Sequence, residues 1–306
     1  MRASLAVPIV ALLLLPFAIG GYYLYLVDII FIDIILALGL NILMGEAGLF
    51  GLAHVAFYGI GVYVTGSLTN AIGLSLPLGA LSGGLVAAAV GYLIGVVSVR
   101  LRDIYLALST FAFAQAALWV SANWTSVTRG PNGLRLAPAN VFGLSLIADR
   151  NAYYFVMASG LFFIWLTMAI GDSGFGRAMR AIRESEPAAA AVGINVARTK
   201  ALAFAASAFY AGCAGGVFTA IISFVHPDLF SFDLTIVILS TLVVGGIGTI
   251  GGPILGAVVL GVLSEALRRT TAYQEVLHGL ILVLFMVFAP GGLVGLIARV
   301  REPRHG

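Results

Sequence analysis

Residues 176–200 read GRAMRAIRESEPAAAAVGINVARTK, and this polar island between two long apolar runs decides how the rest of the chain is laid out. It holds five basic residues, Arg177, Arg180, Arg183, Arg198 and Lys200, together with Glu184 and Glu186. Arginines at 177, 180 and 183 recur every three residues, so they lie along one side of a short helix. Ser185 is placed to cap a second helix, with Pro187 in its first turn, where a missing N–H costs nothing. Ala188 to Ala191 continue that helix with small side chains, Gly193 suits a left-handed ending, and Asn195 is placed to cap the next helix. The result is a helix–break–helix with an arginine edge and an alanine face. Two readings fit it: a lever held in a socket of another protein, and an amphipathic element lying on a membrane surface with its arginines near anionic lipid.

The surrounding chain is of one kind. Apolar residues make up 61% and charged residues 9%, against about 45–50% and about 25% in a soluble domain. Apolar stretches recur along all 306 residues, which predicts an all-α, polytopic membrane helix bundle forming a single domain over 1–306. The net charge of +3 is spread over short loops, a signal of membrane orientation and not of nucleic-acid binding. The single cysteine, Cys213, rules out a disulfide framework and reads as a packing residue. Arg2 and the small residues at Ala18-Ile19-Gly20 imitate a secretory signal. The apolar run continues to Leu26, however, so an uncleaved first helix is expected.

On a ruler of about 20 residues per crossing, about ten transmembrane segments are expected: Leu5–Leu26, Ile29–Met44, Ala53–Leu68, Leu76–Val99, Ile104–Ala122, Ala152–Ile170, Thr199–Val225, Phe232–Val244, Pro253–Leu267 and Tyr273–Phe288. With 176–200 inside, the inner loops hold Arg2, Arg100, Arg102, Arg177, Arg180, Arg183, Arg198, Lys200, Arg299, Arg301 and Arg304. The outer loops hold Arg129, Arg135, Arg150, Arg268 and Arg269. Eleven against five favours this orientation, with both termini and the 296–306 tail cytoplasmic. The longest outer loop, 123–151, contains the turn signal Pro131-Asn132-Gly133 and reads either as a solvated connector or as a docking surface for an extracytoplasmic partner.

Glycines four apart (Gly91 and Gly95, Gly212 and Gly216, Gly252 and Gly256, Gly291 and Gly295) share a helix face. They allow close backbone approach, within one chain or against a second membrane chain. Two glycine-rich joints interrupt the short segments, one at Gly45-Glu46-Ala47-Gly48-Leu49-Phe50-Gly51 and one at 245–252. Broken helices expose backbone groups that can bind a small polar ligand. Asn41, Gly45, Glu46, Gly48 and His54, with Gly245, Gly246 and Gly248, are therefore candidates for a substrate pathway. The alternative for Glu46 is a plain cytoplasmic turn.

Enzyme chemistry is not expected. The four histidines have no metal-ligand spacing, Cys213 has no partner, and no nucleophile elbow is present. The only lysine, Lys200, follows Arg198-Thr199 and not a glycine. A phosphate-binding Walker loop is therefore missing, and any ATPase must be another chain. No catalytic residue, metal site or bound cofactor is expected in this one.

Glu186-Pro187-Ala188-Ala189-Ala190-Ala191-Val192-Gly193-Ile194 resembles the coupling motif of ABC importer permeases. Leu40 to Gly45, Ala47-Gly48, Gly51 to Gly61, Ile104 to Leu108, Gly130 to Leu134 and Gly245 to Pro253 resemble branched-chain amino-acid permeases, in particular the LivM type. The resemblance implies a permease subunit of an ATP-driven importer for leucine, isoleucine or valine in a bacterial inner membrane. It further implies a second homologous permease subunit, two cytoplasmic ATPase subunits that use the ATP, and a periplasmic or lipid-anchored binding protein. On this reading Arg177, Arg180, Arg183, Glu184, Glu186, Ala189 and Gly193 couple to the ATPases, and Arg129, Pro131 and Asn132 meet the binding protein. Arg129 stands where the family commonly has glycine. Rival expectations are an ABC permease for a simple sugar, short amide or urea, and an ion-coupled carrier needing no ATPase.

Overall fold

Long apolar segments with no water to satisfy their backbone form helices, because a helix bonds every interior N–H and C=O within itself. In the computed structural model, residues 2–301 are described except 100, 102, 142–143, 147–148, 268–278, 281–282, 286 and 288–290. The helices in chain order are α1 (Arg2–Ala18), α2 (Gly21–Asn41), α3 (His54–Ile72), α4 (Leu76–Ser98), α5 (Asp103–Asn123), α6 (Thr125–Thr128), α7 (Asp149–Asp172), α8 (Gly174–Glu184), α9 (Glu186–Ala191), α10 (Val196–Phe218), α11 (Phe232–Gly245), α12 (Gly251–Leu267) and α13 (Gly292–Arg301). Among the described residues seven helices are long and apolar enough to cross a membrane, and α12 is a shorter apolar one. This is the helical bundle the composition predicts. The expected tenth segment, Tyr273–Phe288, lies largely outside the described residues.

The first boundary needs correction. The expected break between Leu26 and Ile29 does not exist: α2 begins at Gly21 and runs through Asp28 without interruption. The break falls at Ile19-Gly20, where Gly20 is the extended N-cap (φ −75°, ψ 164°). One carboxylate inside an apolar run reads as a loop, but it leaves the helix intact when it can face a cavity. The other end of α2 widens into a π-helical turn, Ile42–Glu46.

The buried centre is α2, α3 and α10, with α4 packed antiparallel against α10 through small residues. A Cβ on Gly91 would press on Phe204 O at 2.9 Å, one on Gly95 would meet Ala201 Cα at 2.7 Å, and one on Gly212 would meet Gly83 O at 2.8 Å. These glycine faces therefore serve packing within the chain. Cys213 is buried beside them, as a packing residue should be. The outer helices α4, α5 and α7 carry exposed Leu93, Val97, Ile104, Trp119 and Trp165, the apolar surface a bundle presents to lipid.

Opposite α8 and α9, the long loop folds as a cap. Strand β1 (Leu134–Arg135) pairs antiparallel with β4 (Phe224–Val225), with Leu134 opposite Val225, and β2 (Asn140–Val141) pairs with β3 (Leu144–Ser145). Asn70, at the end of α3, pins the cap: its Nδ2 donates to Arg135 O at 2.7 Å and its Oδ1 accepts from Ala137 N at 2.7 Å. Arg129, Pro131 and Asn132 are exposed on this cap. Arg129 has φ 64°, a left-handed conformation that glycine adopts freely and arginine does not. Arg129→Gly is expected to stabilise the protein by about 1 kcal/mol, read as a higher unfolding midpoint in detergent.

Candidate functional site

The polar island folds as its local signals dictate. Ser173 caps α8 by accepting from Gly176 N at 3.2 Å, and Ser185 caps α9 by accepting from Ala188 N at 3.4 Å. Pro187 sits in the first turn of α9, and Gly193 ends it at φ 86° with Ile194 N donating to Ala189 O at 3.1 Å. Asn195 caps α10 by accepting from Arg198 N at 3.0 Å.

Helix α8 lies against the bundle through Gly176, Met179 and Ile182, which leaves its arginines on the outer side. Arg177 Nη1 donates to Asp172 O at 2.8 Å. Arg180 reaches further: Nη1 donates to Glu46 Oε2 at 2.8 Å, and Nη2 to Gly171 O at 2.9 Å. Arg183 Nη1 donates to Gly45 O. The stem of Arg183 crosses Gly48, where a Cβ would meet its Cγ at 2.8 Å, and a Cβ on Gly248 would meet its Nη1 at 2.8 Å. One arginine of α8 therefore touches both glycine-rich joints.

Asn41 ties those joints to each other. It is fully buried; its Oδ1 accepts from Gly248 N at 2.8 Å and its Nδ2 donates to Thr249 O at 3.1 Å. Two bonds of opposite sense fix the amide orientation. Thr249 closes the second joint: its hydroxyl donates to Gly246 O at 3.0 Å and accepts from Gly252 N at 3.0 Å, capping α12. Gly246 and Gly248 adopt φ 123° and 80°, and Gly48 adopts φ 68°.

The other sequence candidates are placed differently. The chain after Gly48 turns back into the bundle, and His54 starts α3 beside Leu36. Its Nε2 donates to Leu36 O at 2.8 Å, and Ser207 Oγ donates to Nδ1 at 3.2 Å, so both ring nitrogens are engaged in packing contacts. Asn41, Gly45, Glu46, Gly48 and Gly248 come together at α8. Gly245 packs against Gly252 at the back of its joint, and His54 stands apart. In α9, Ala189 faces the bundle, whereas Pro187, Ala188, Ala190 and Ala191, with Val192 just beyond the helix, are exposed. Glu184 is exposed as well.

One contact of the island joins a sequence candidate, Glu186, to a residue outside the candidate set. Lys200, 4% exposed, is paired with Glu186 at 2.5 Å, which anchors the start of α9 to α10. The signal was present: a single lysine entering an apolar span needs a counter-ion. A cavity of about 300 Å3, lined by Gly48, Leu49, Phe50, Glu186, Pro187 and Lys200 among others, separates α9 from the returning chain. Glu186→Gln is expected to loosen α9 by about 1–2 kcal/mol, less than a fully buried pair would cost, because Glu186 is 36% exposed and screened. Adding Lys200→Met to that variant is expected to recover part of the loss. Hydrogen exchange over 185–195 checks both.

A family model described as the branched-chain amino acid transport system / permease component matches residues 9–290. The LivM high-affinity branched-chain amino acid transport permease of Escherichia coli K12 is 34% identical over 320 residues, covering 94% of this chain and 74% of that protein. The LivH permease of Salmonella typhimurium is 27% identical over 282 residues, covering 85% of this chain and 90% of that one. The L-arabinose ABC transporter permease AraH of Azospirillum brasilense is 26% identical over 254 residues, covering 80% and 72%. No solved structure matches the chain.

Proposed function

The chain belongs to the permease-component family of branched-chain amino acid transport systems, and from that premise we propose that it is a transmembrane subunit of an ATP-driven importer for leucine, isoleucine and valine. The observation that carries the mechanism is the contact of Arg180 and Arg183, on α8, with Glu46 and Gly45 at the broken end of α2. On this reading α8 and α9 are the coupling element, on the cytoplasmic side of a bacterial inner membrane, with both termini on that side. The exposed alanine face of α9 enters a socket in one of two ATPase subunits. Those subunits bind the ATP; this chain holds no cofactor and no ATPase site. A second, homologous permease completes the pathway, and a binding protein meets the cap around Arg129, Pro131 and Asn132 on the far side.

Force follows the contacts. Closure of the ATPases displaces α9; Glu186 and Lys200 pass the movement to α10, and Arg180 and Arg183 pass it to both glycine-rich joints. Joints built from glycine turns change φ and ψ at low cost. Asn41 makes the two joints move together. Substrate must favour one of the two arrangements, since a ligand with equal affinity for both shifts nothing.

Affinity purification of the tagged chain, followed by reconstitution with the copurifying subunits and the binding protein, tests this. Leucine uptake that requires ATP is the expected result. Uptake that persists without ATPase subunits and follows an ion gradient would overturn the coupling reading. ATP-driven uptake of a sugar, and of no branched-chain amino acid, would reassign the substrate.

A further inference from the structure

A cavity of about 320 Å3 opens at the end of the bundle away from α8 and α9, between the start of α2, the start of α7, the end of α10 and the loop 136–139. Its size lies in the range of about 300–1,000 Å3 usual for small-molecule sites. Two carboxylates line it. Asp149, in the first turn of α7, is exposed. Asp28 lies seven residues beyond Gly21 on α2, about 10 Å deeper. It is 3% exposed, and its Oδ1 has no hydrogen-bond partner among the described residues.

A carboxylate within a membrane-spanning helix is costly unless matched by positive charge. None of the residues lining the cavity is basic. Arg150, which follows Asp149 in α7, lies over the Phe17 ring at 5.0 Å from its centroid. The facing wall, Thr219 to Ser223, is the chain that leaves α10, and the N–H groups of Thr219, Ala220 and Ile221 bond back to the last carbonyls of that helix. The formal charge of the site is that of its two carboxylates, Asp28 and Asp149. The rest of its lining includes Leu136, Pro138, Leu146, Ile221 and Ile222. Such walls suit an aliphatic group, and they do not supply the six to eight oxygens that a calcium ion takes.

We propose that this cavity receives the ammonium end of an aliphatic amino acid entering the bundle, with Asp28 as its buried counter-ion and Asp149 as the charge that draws it to the mouth. The proposal rests on the transport reading for the identity of the ligand, and on the cavity for its chemistry. It gives the entry side of the pathway a polar contact more than two helical turns of α2 away from the glycine-rich joint.

The assembled transporter in detergent is to be titrated with leucine, with 3-methylbutylamine (the same side chain and ammonium without the carboxylate) and with 4-methylpentanoate (the carboxylate without the ammonium), reading the unfolding midpoint. Leucine and the amine are expected to stabilise, and the carboxylate is not. Asp28→Asn, nearly the same shape, is expected to weaken the amine about ten- to a hundredfold. Asp149→Asn, at the exposed mouth where folding is insensitive, is expected to weaken it severalfold. Undiminished amine binding in both variants, or equal stabilisation by 4-methylpentanoate, overturns the proposal. Amine binding that needs Asp28, in a transporter that takes up no branched-chain amino acid, would sustain the cavity assignment and sink the substrate reading. Leucine uptake within twofold of wild type in Asp28→Asn would do the reverse.

Discussion

Arg183→Glu is expected to cut leucine uptake by the reconstituted transporter by about ten- to a hundredfold while ATP hydrolysis continues. Arg183 bonds the Gly45 carbonyl, and its guanidinium and stem cover Gly248 and Gly48. Reversal replaces a donor with an acceptor, so a carboxylate is set against a carbonyl oxygen. It also stands close to Glu46, which Arg180 already holds at 2.8 Å. A bond to a charged donor contributes about 1.5–3 kcal/mol, and coupling between sites is typically about 1–3 kcal/mol, or about 5–150-fold. The lost contact is therefore as large as the whole coupling it would carry. Arg183→Lys keeps the charge without the planar fork and is expected to fall between the two. The informative quantity is leucine moved per ATP hydrolysed. A ratio equal to wild type would show that α8 does not act through Arg183. Loss of ATPase copurification would instead place Arg183 in the docking surface.

What the sequence discloses depends on how far apart the interacting residues stand. The caps at Ser185 and Asn195, the first-turn Pro187 and the left-handed Gly193 were legible, because each acts within a few residues of itself. The helical bundle was legible from composition alone. Asn41 and the two glycine-rich joints stand out as polar or flexible positions in apolar runs, but their union does not. Arg183 and Gly45 are 138 residues apart, and Asn41 and Gly248 are 207 apart. The packing of α2 against α11 and α12 brings Asn41 to Gly248, and the seating of α8 on the Ile42–Glu46 turn brings Arg183 to Gly45. Asp28 misled for a related reason. A charge in an apolar run reads as a boundary, and the glycine pair at 20–21, which does end a helix, reads as part of a span.

Gly61→Val is expected to prevent stable assembly of the bundle. A Cβ at Gly61 would lie 2.6 Å from both Cα and C of Gly212, and that neighbour is backbone with no rotamer to move. The reverse face is equally closed: a Cβ at Gly83 would lie 2.8 Å from Gly61 O, and one at Gly212 would lie 2.6 Å from Ala87 Cβ. Helices α3, α4 and α10 therefore meet backbone to backbone at one point, and α3 cannot shift from α10 without disturbing α4. In lipid, apolar side chains gain nothing by leaving the solvent, so close packing is a main source of helix association. Overpacking in a core costs about 1–3 kcal/mol when side chains can adjust, and here they cannot. Gly61→Ala is expected to cost more than about 3 kcal/mol, with Gly61→Val failing to yield folded protein. Gly171→Ala is the control, since nothing lies within 4 Å of the added methyl and it is expected to be neutral to within about 1 kcal/mol. Unfolding midpoints and the monodisperse fraction in detergent measure all three. A Gly61→Ala variant as stable as Gly171→Ala would mean that α3 and α10 do not meet through these two glycines.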